Sequence, residues 1–171
     1  MSTIVAKPLT RLDKLYYRVQ AQHICLEWAM AEVAGTPGVI FEIGLGHGRT
    51  YDHLRTHLPD RDIFVFDREI DCIADCTPPD DRLFLGDIGD TLRAAVPRFG
   101  RSVALAHADM GTYDETRNRE MTARLGALLE PLLAPGAIVL SDLPITIEGA
   151  DPVPLPPGAR AGRYFLFRKR G

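Results

Sequence analysis

The chain has 171 residues with a formal net charge of −3, and 46% of its residues are hydrophobic, which is one domain's length with enough apolar material for a buried core. Acids and bases are scattered, without the basic face that a nucleic-acid binder needs, and Arg168-Lys169-Arg170 reads as a solvated strand end. No apolar run reaches the ~20 residues of a membrane span, and Met1 to Thr10 lacks an apolar signal core, so a cytoplasmic protein with no nucleic-acid or membrane partner is expected.

From Leu9 to Val33 the pattern is helical, with Leu12, Leu15, Tyr16, Val19, His23, Leu26 and Met30 roughly on one face, and Gly35 and Pro37 end it. Tyr16, Tyr17, Arg18 and Gln22 form a polar and aromatic cluster there, which either closes over a ligand or belongs to a plain packing helix. Five short apolar runs follow, 39–43, 63–66, 83–85, 103–108 and 137–141. They are continuous rather than alternating in apolar character, as in strands covered on both faces, and the alternation with helices predicts a doubly wound, mostly parallel, three-layer α-β-α sheet. The helix from about Asp114 to Leu133 carries Met121, Leu125, Leu128 and Leu132 on one stripe, before Pro135-Gly136.

The final run, Arg163 to Phe167, reads as an antiparallel strand at or near an edge. Between Leu143 and Gly162, including the proline-rich stretch Asp151 to Gly158, helical signal is scarce, so the fold is expected to be trimmed at its C-terminal end. An apolar edge or face left uncovered would be hidden in a homo-oligomer. Cys25, Cys72 and Cys76 are an odd number, and Cys72-x-x-x-Cys76 has no partner pair or histidine at ligand spacing, so neither a disulfide framework nor zinc is expected.

The first strand carries the strongest motif. Val39 to Thr50 reads V-I-F-E-I-G-L-G-H-G-R-T: a β-run ending in glycines at alternate positions, Gly44, Gly46 and Gly48. Glycine turns the backbone through positive φ and lets a ligand press on the main chain. Tyr51, Leu54 and Leu58 then recur at helical spacing, so the turn feeds a helix N-terminus and the unit predicts a nucleotide-type cofactor site. A dinucleotide fingerprint needs its third glycine at position 49. That position is Arg49, which argues against a nicotinamide-dependent oxidoreductase.

The register E-x-G-x-G-x-G resembles the glycine loop of the class I S-adenosylmethionine (SAM) dependent methyltransferases, in particular small stand-alone bacterial members with unknown acceptors. The resemblance runs from about Pro37 to Leu143 and implies SAM as cofactor. It implies that Glu42, Gly44, Gly46 and Gly48 hold the methionine part, with Arg49 and Thr50 opening the helix beside it. Asp67, at the end of the second strand, matches the family's ribose-binding acid, with a helix N-cap as the alternative. Arg68 either flanks the adenine or is solvated. Gly86-Asp87-Ile88 is similar to the adenine-recognition turn, Asp87 accepting from the amino group and Ile88 packing on the ring, although Asp87 also suits a helix cap.

Strand four ends His107-Ala108-Asp109-Met110-Gly111 and strand five Ser141-Asp142-Leu143. Methyl transfer needs alignment, exclusion of water and at most removal of one acceptor proton. Asp109 and His107 are the catalytic candidates, with a satisfied strand histidine as the alternative for His107. The region from Ala106 to Leu143 is also similar to the catechol O-methyltransferase branch, where Asp109 and Asp142 would match two cation ligands. Leu143 stands in place of the expected asparagine ligand, and no metal is expected. The reading is one domain, with a helical segment over 1–36, a cofactor core over 37–143 and a loop and strand over 144–171. The resemblance implies transfer of a methyl group to a small molecule, with a non-catalytic SAM-binding or sensing module as the alternative.

Overall fold

A computed structural model describes residues 8–171, so most of the Met1 to Thr10 reading lies outside the described residues. Helix α1 (Arg11–Glu32) starts on a reciprocal cap: the Thr10 side chain accepts from the Asp13 N–H, and the Asp13 carboxylate accepts from the Thr10 N–H. Strands β1 (Val39–Ile43), β2 (Ile63–Asp67), β3 (Leu83–Leu85), β4 (Val103–Ala108) and β5 (Leu133–Ser141) alternate with helices α2 (Arg49–His57), α3 (Ile88–Phe99) and α4 (Glu115–Leu129). Strands β6 (Ala150–Val153) and β7 (Phe165–Lys169) close the chain.

The sheet order is β3-β2-β1-β4-β5-β7-β6. The first five strands are parallel, and β7 and β6 are antiparallel to their neighbours. Strand order therefore switches between β1 and β4, and ligands of open α/β sheets bind beyond the strand ends at that point. Period-two alternation divides the interior in two. Phe41, Ile43, Ala106 and Ala108 face α3 and α4 in one core, while Ile40 and Leu105 face α1 and α2 in the other. Glu42 and His107 fall on the second face, opposite each other in the β1–β4 register.

Two expectations are corrected. The sheet has all seven strands, because β6 forms over Ala150–Val153 inside the stretch read as irregular. Pro152 argued against a strand, but β6 is an outer strand that pairs on one side only, where a missing N–H is tolerated. What is short is the β5–β6 connection, which among the described residues holds no helix. The α1 stripe also differs: Leu12, Leu15, Tyr16 and Val19 are exposed, and the buried face is Ala21, Cys25, Leu26, Ala29 and Met30. The helix packs on the sheet only through its second half. The stripe predicted for α4 is buried throughout. Cys25, Cys72 and Cys76 are free thiols, and burial pushes Cys25 up to about 11. No helix among the described residues is long and apolar enough to cross a membrane.

Candidate cofactor and acceptor site

The chain leaves β1 through Gly44 (φ 89°), whose N–H donates to the Phe66 carbonyl at 2.8 Å. A Cβ there would lie 2.4 Å from the Asp109 carbonyl oxygen, so the close approach of the two strand ends requires glycine. Gly46 (φ 49°) has a different reason to be glycine. Nothing lies within 4 Å of an added Cβ, and the residue faces a cavity, so its bare backbone is available to a ligand. Helix α2 begins after Gly48 with no side-chain cap.

Asp67 braces this loop. Its Oδ2 accepts from the N–H groups of Leu45 at 2.7 Å and Gly46 at 3.2 Å, and its Oδ1 accepts from the Arg68 N–H at 2.6 Å. No α-helix starts there, since the next helical turn is the 3₁₀ segment Ala74–Cys76, so Asp67 is not a helix cap. Asp87 is one: its Oδ1 accepts from the Gly89 N–H at 2.8 Å and the Asp90 N–H at 3.3 Å. Slight burial raises the Asp87 carboxyl, but these two bonds and the charges of Arg124 and Arg68 hold it below its usual range.

Glu42 does not reach the cavity. Fully buried, it accepts from the Thr50 hydroxyl and pairs with His107, whose Nδ1 lies 2.8 Å from Glu42 Oε2. The His107 Nε2 lies 3.3 Å from the Tyr164 hydroxyl, so both ring nitrogens are engaged inside the sheet. Burial disfavours the imidazolium, yet the charge and hydrogen bond of Glu42 raise His107 above its ordinary value. The expectation of His107 as a base at the acceptor is corrected: alternation along β4 turns it into the protein.

Asp109 lies in the cavity wall. Arg18 Nη2 donates to both its oxygens, at 2.6 and 2.8 Å, and Gln22 Nε2 donates to Oδ2 at 3.0 Å. Gln22 Nε2 also reaches the Tyr164 hydroxyl at 2.6 Å, which joins this group to His107 and Glu42. Burial raises the Asp109 carboxyl, but the charges of His107 and Arg18 and a hydrogen bond from Asp142 hold it below its usual range. Arg18 is raised in turn: burial lowers it, but the charge and hydrogen bond of Asp109 together with the charges of Tyr164 and Asp142 outweigh that. Asp142 is pushed up to about 6 by burial and then by the neighbouring Asp109 charge. Its oxygens accept the N–H groups of Met110 and Gly111 at 2.9 and 2.8 Å. Both carboxyls thus accept hydrogen bonds from protein donors. Burial raises the Tyr164 hydroxyl as well.

The cavity measures about 500 Å³ and is lined by Gly44, Leu45, Gly46, Arg49, Thr50, Asp67 and Asp109, and from α1 by Leu15, Arg18, Val19, Gln22 and His23. A second cavity of about 420 Å³ is lined by Arg68, Asp87, Ile88, Met121 and Arg124, and Arg117 borders both. Both volumes suit small ligands. Arg18 and Gln22 stood out in the sequence as part of a cluster; Tyr164 did not. The one signal for it was a tyrosine at the head of the last apolar run.

Seven strands in this order, with a glycine turn at the switch point, define the fold of the class I methyltransferases. The chain belongs to the S-adenosyl-L-methionine methyltransferase family whose pattern matches residues 9–169, and it is accordingly an enzyme that uses SAM. It is 44% identical to an S-adenosyl-L-methionine methyl transferase from Silicibacter pomeroyi DSS-3, over 96% of this chain and 100% of that one, with a TM-score of 0.91. Human methyltransferase-like protein 13, solved with S-adenosylhomocysteine (SAH), is 11% identical over 91% of this chain and 82% of that one, TM-score 0.59. TrmN from Thermus thermophilus is 18% identical over 89% of this chain and 48% of that one, TM-score 0.57. These two share the fold. No curated protein matches the chain.

Proposed function

We propose that this methyltransferase acts on a small-molecule acceptor seated between the glycine loop and α1. The observation that carries the reading is a single cavity with Gly44, Gly46 and Asp67 on one wall and Asp109, with Arg18 and Gln22 of α1, on another. When bound, SAM supplies a methyl group already activated by its sulfonium. Gly46 offers a bare backbone to the methionine part, Arg49 a positive charge to its carboxylate, and Asp67 an acceptor to the ribose. Asp87, Ile88 and Arg68 line the second cavity, which suits the adenine. Gly44 and Gly48 shape the loop, and Glu42 acts on it from behind through Thr50.

On the acceptor side, Asp109 orients a polar hydrogen of the acceptor or takes its proton, and Arg18 and Gln22 fix the carboxylate in one place. Leu15 and Val19 give the acceptor an apolar seat. The same reading takes the chain as cytoplasmic, with no nucleic-acid or membrane partner. It also takes the chain as a homo-oligomer, since Leu12 and Tyr16 extend an exposed apolar surface along α1.

The test is turnover of SAM to SAH with fractions of a small-molecule extract, read beside thermal melts. SAM and SAH at ~100 times their dissociation constants are expected to add roughly 2.7 kcal/mol of stability, and one fraction to support SAH release. Melts raised by NADH but unmoved by SAM or SAH would overturn the reading.

A further inference from the structure

Beside the polar network, α1 and α2 bring a second group of side chains together. His23 and Glu27 stand one turn apart on one face of α1, and His53 projects from α2. One ligand atom from each lies within 4.8 Å of the other two. His53 Nε2 is 2.6 Å from Glu27 Oε1, and the rings of His23 and His53 are 5.1 Å apart. One turn further along α2, the His57 ring lies 4.2 Å from that of His53, and its Nδ1 is 2.9 Å from the His53 carbonyl oxygen. A carbonyl only accepts, so His57 Nδ1 carries the proton and its ring is held against His53.

A part-exposed Glu27–His53 pair contributes little to stability, and it gives no reason for His23 to converge on the same point. Two imidazole nitrogens and one carboxylate oxygen are the donor set of a three-ligand zinc site. Hard cations such as Mg²⁺ and Ca²⁺ take six or more oxygens instead. Tetrahedral Zn²⁺ at its usual bond lengths sets ligand atoms about 3.3 Å apart. His23 and Glu27 are exposed and His53 is partly so, which leaves their side chains room to change rotamer.

We propose that His23, Glu27 and His53 bind one zinc-class divalent cation, with its fourth position open to the cavity that His23 and His53 both line. Loading displaces the proton between His53 Nε2 and Glu27 Oε1. The open position takes water or an oxygen, nitrogen or sulfur donor of a molecule in the cavity. The site departs from the sequence expectation of no metal because its ligands come from two helices with β1 and the glycine loop between them. It stands on its own geometry and does not depend on the acceptor reading.

The experiment uses the full chain without an affinity tag, stripped of metal and titrated with Zn²⁺ against a chromophoric chelator, with Co²⁺ absorption reporting coordination. One saturable site and a tetrahedral Co²⁺ spectrum are expected. His23→Ala and His53→Ala should each weaken binding by roughly 100-fold or more and Glu27→Gln by about tenfold or more, while Cys72→Ser and Cys76→Ser leave it unchanged. Circular dichroism checks that the variants stay folded. No saturable binding, full affinity in a His23→Ala/His53→Ala double variant, or loss in the cysteine variants would overturn the proposal.

Discussion

His107 Nδ1 lies 2.8 Å from Glu42 Oε2, and both side chains have no exposure to solvent. The pair ties β1 to β4 at the switch point, directly behind the glycine loop. Glu42→Gln or His107→Ala leaves a buried group without its partner, and breaking such a pair costs about 3–5 kcal/mol. Urea unfolding should show that loss, together with weaker SAM binding in the folded fraction. A His107→Ala protein as stable as the parent would remove the pair from the fold's support.

Stability should fall as pH rises from about 4 through 6, and further as His107 gives up its proton. Asp142 is raised from its ordinary value to about 6, so its contribution is complete below the ordinary carboxylate range and lost as pH rises through 6. His107 is raised too, and its contribution is likewise lost as pH climbs through its folded value. Asp109 is lowered and acts oppositely, its contribution disappearing only in acid. Urea midpoints across this range, flattened in Asp142→Asn, are the expected record, and a midpoint rising with pH would contradict it.

Gly46→Val should remain folded and lose SAM by at least about 100-fold. Its added atoms enter the cavity rather than the core, although a branched side chain at positive φ costs some stability. Calorimetric titration with SAH measures the loss, and normal affinity in the folded variant would place the cofactor elsewhere.

Asp67→Ala has a double consequence, because the carboxylate accepts two loop N–H groups. SAM affinity should drop by roughly 1.5–3 kcal/mol and unfolding stability by about 1 kcal/mol. A fall in melting temperature with affinity intact would mean that Asp67 serves the loop alone.

Asp109→Asn keeps the shape of the cavity and removes the charge that Arg18 and Gln22 grip. SAM binding should stay near its parent value while turnover drops by roughly 10²-fold or more. Single-turnover SAH formation separates the two, and unimpaired turnover would take Asp109 out of the chemistry.

The parallel strands were legible in the sequence because burial on both faces forces unbroken apolar runs, and the glycine turn because a Cβ has no room at Gly44 or Gly48. β6 was hidden by Pro152, whose cost vanishes on an outer strand. The stripe on α1 misled because periodicity reports which residues share a face, and the first two turns of this helix have no neighbour to cover that face. The network from Glu42 through His107, Tyr164 and Gln22 to Asp109 joins residues from four distant segments, and no spacing rule connects them.

Helix α1 is anchored at one end. Its second half supplies one side of a core, whereas its first turns are joined to the rest of the protein at Arg18 and Gln22 and by the Arg160 guanidinium 4.3 Å from the Tyr17 ring centre. Amide exchange should therefore grade along a single helix, fast near Leu12 and slow near Ala29. Loss of the Arg18 grip on Asp109 together with the Arg160–Tyr17 contact would loosen the front of the helix and leave the back in place, giving the cavity an entrance whose opening does not require the domain to unfold.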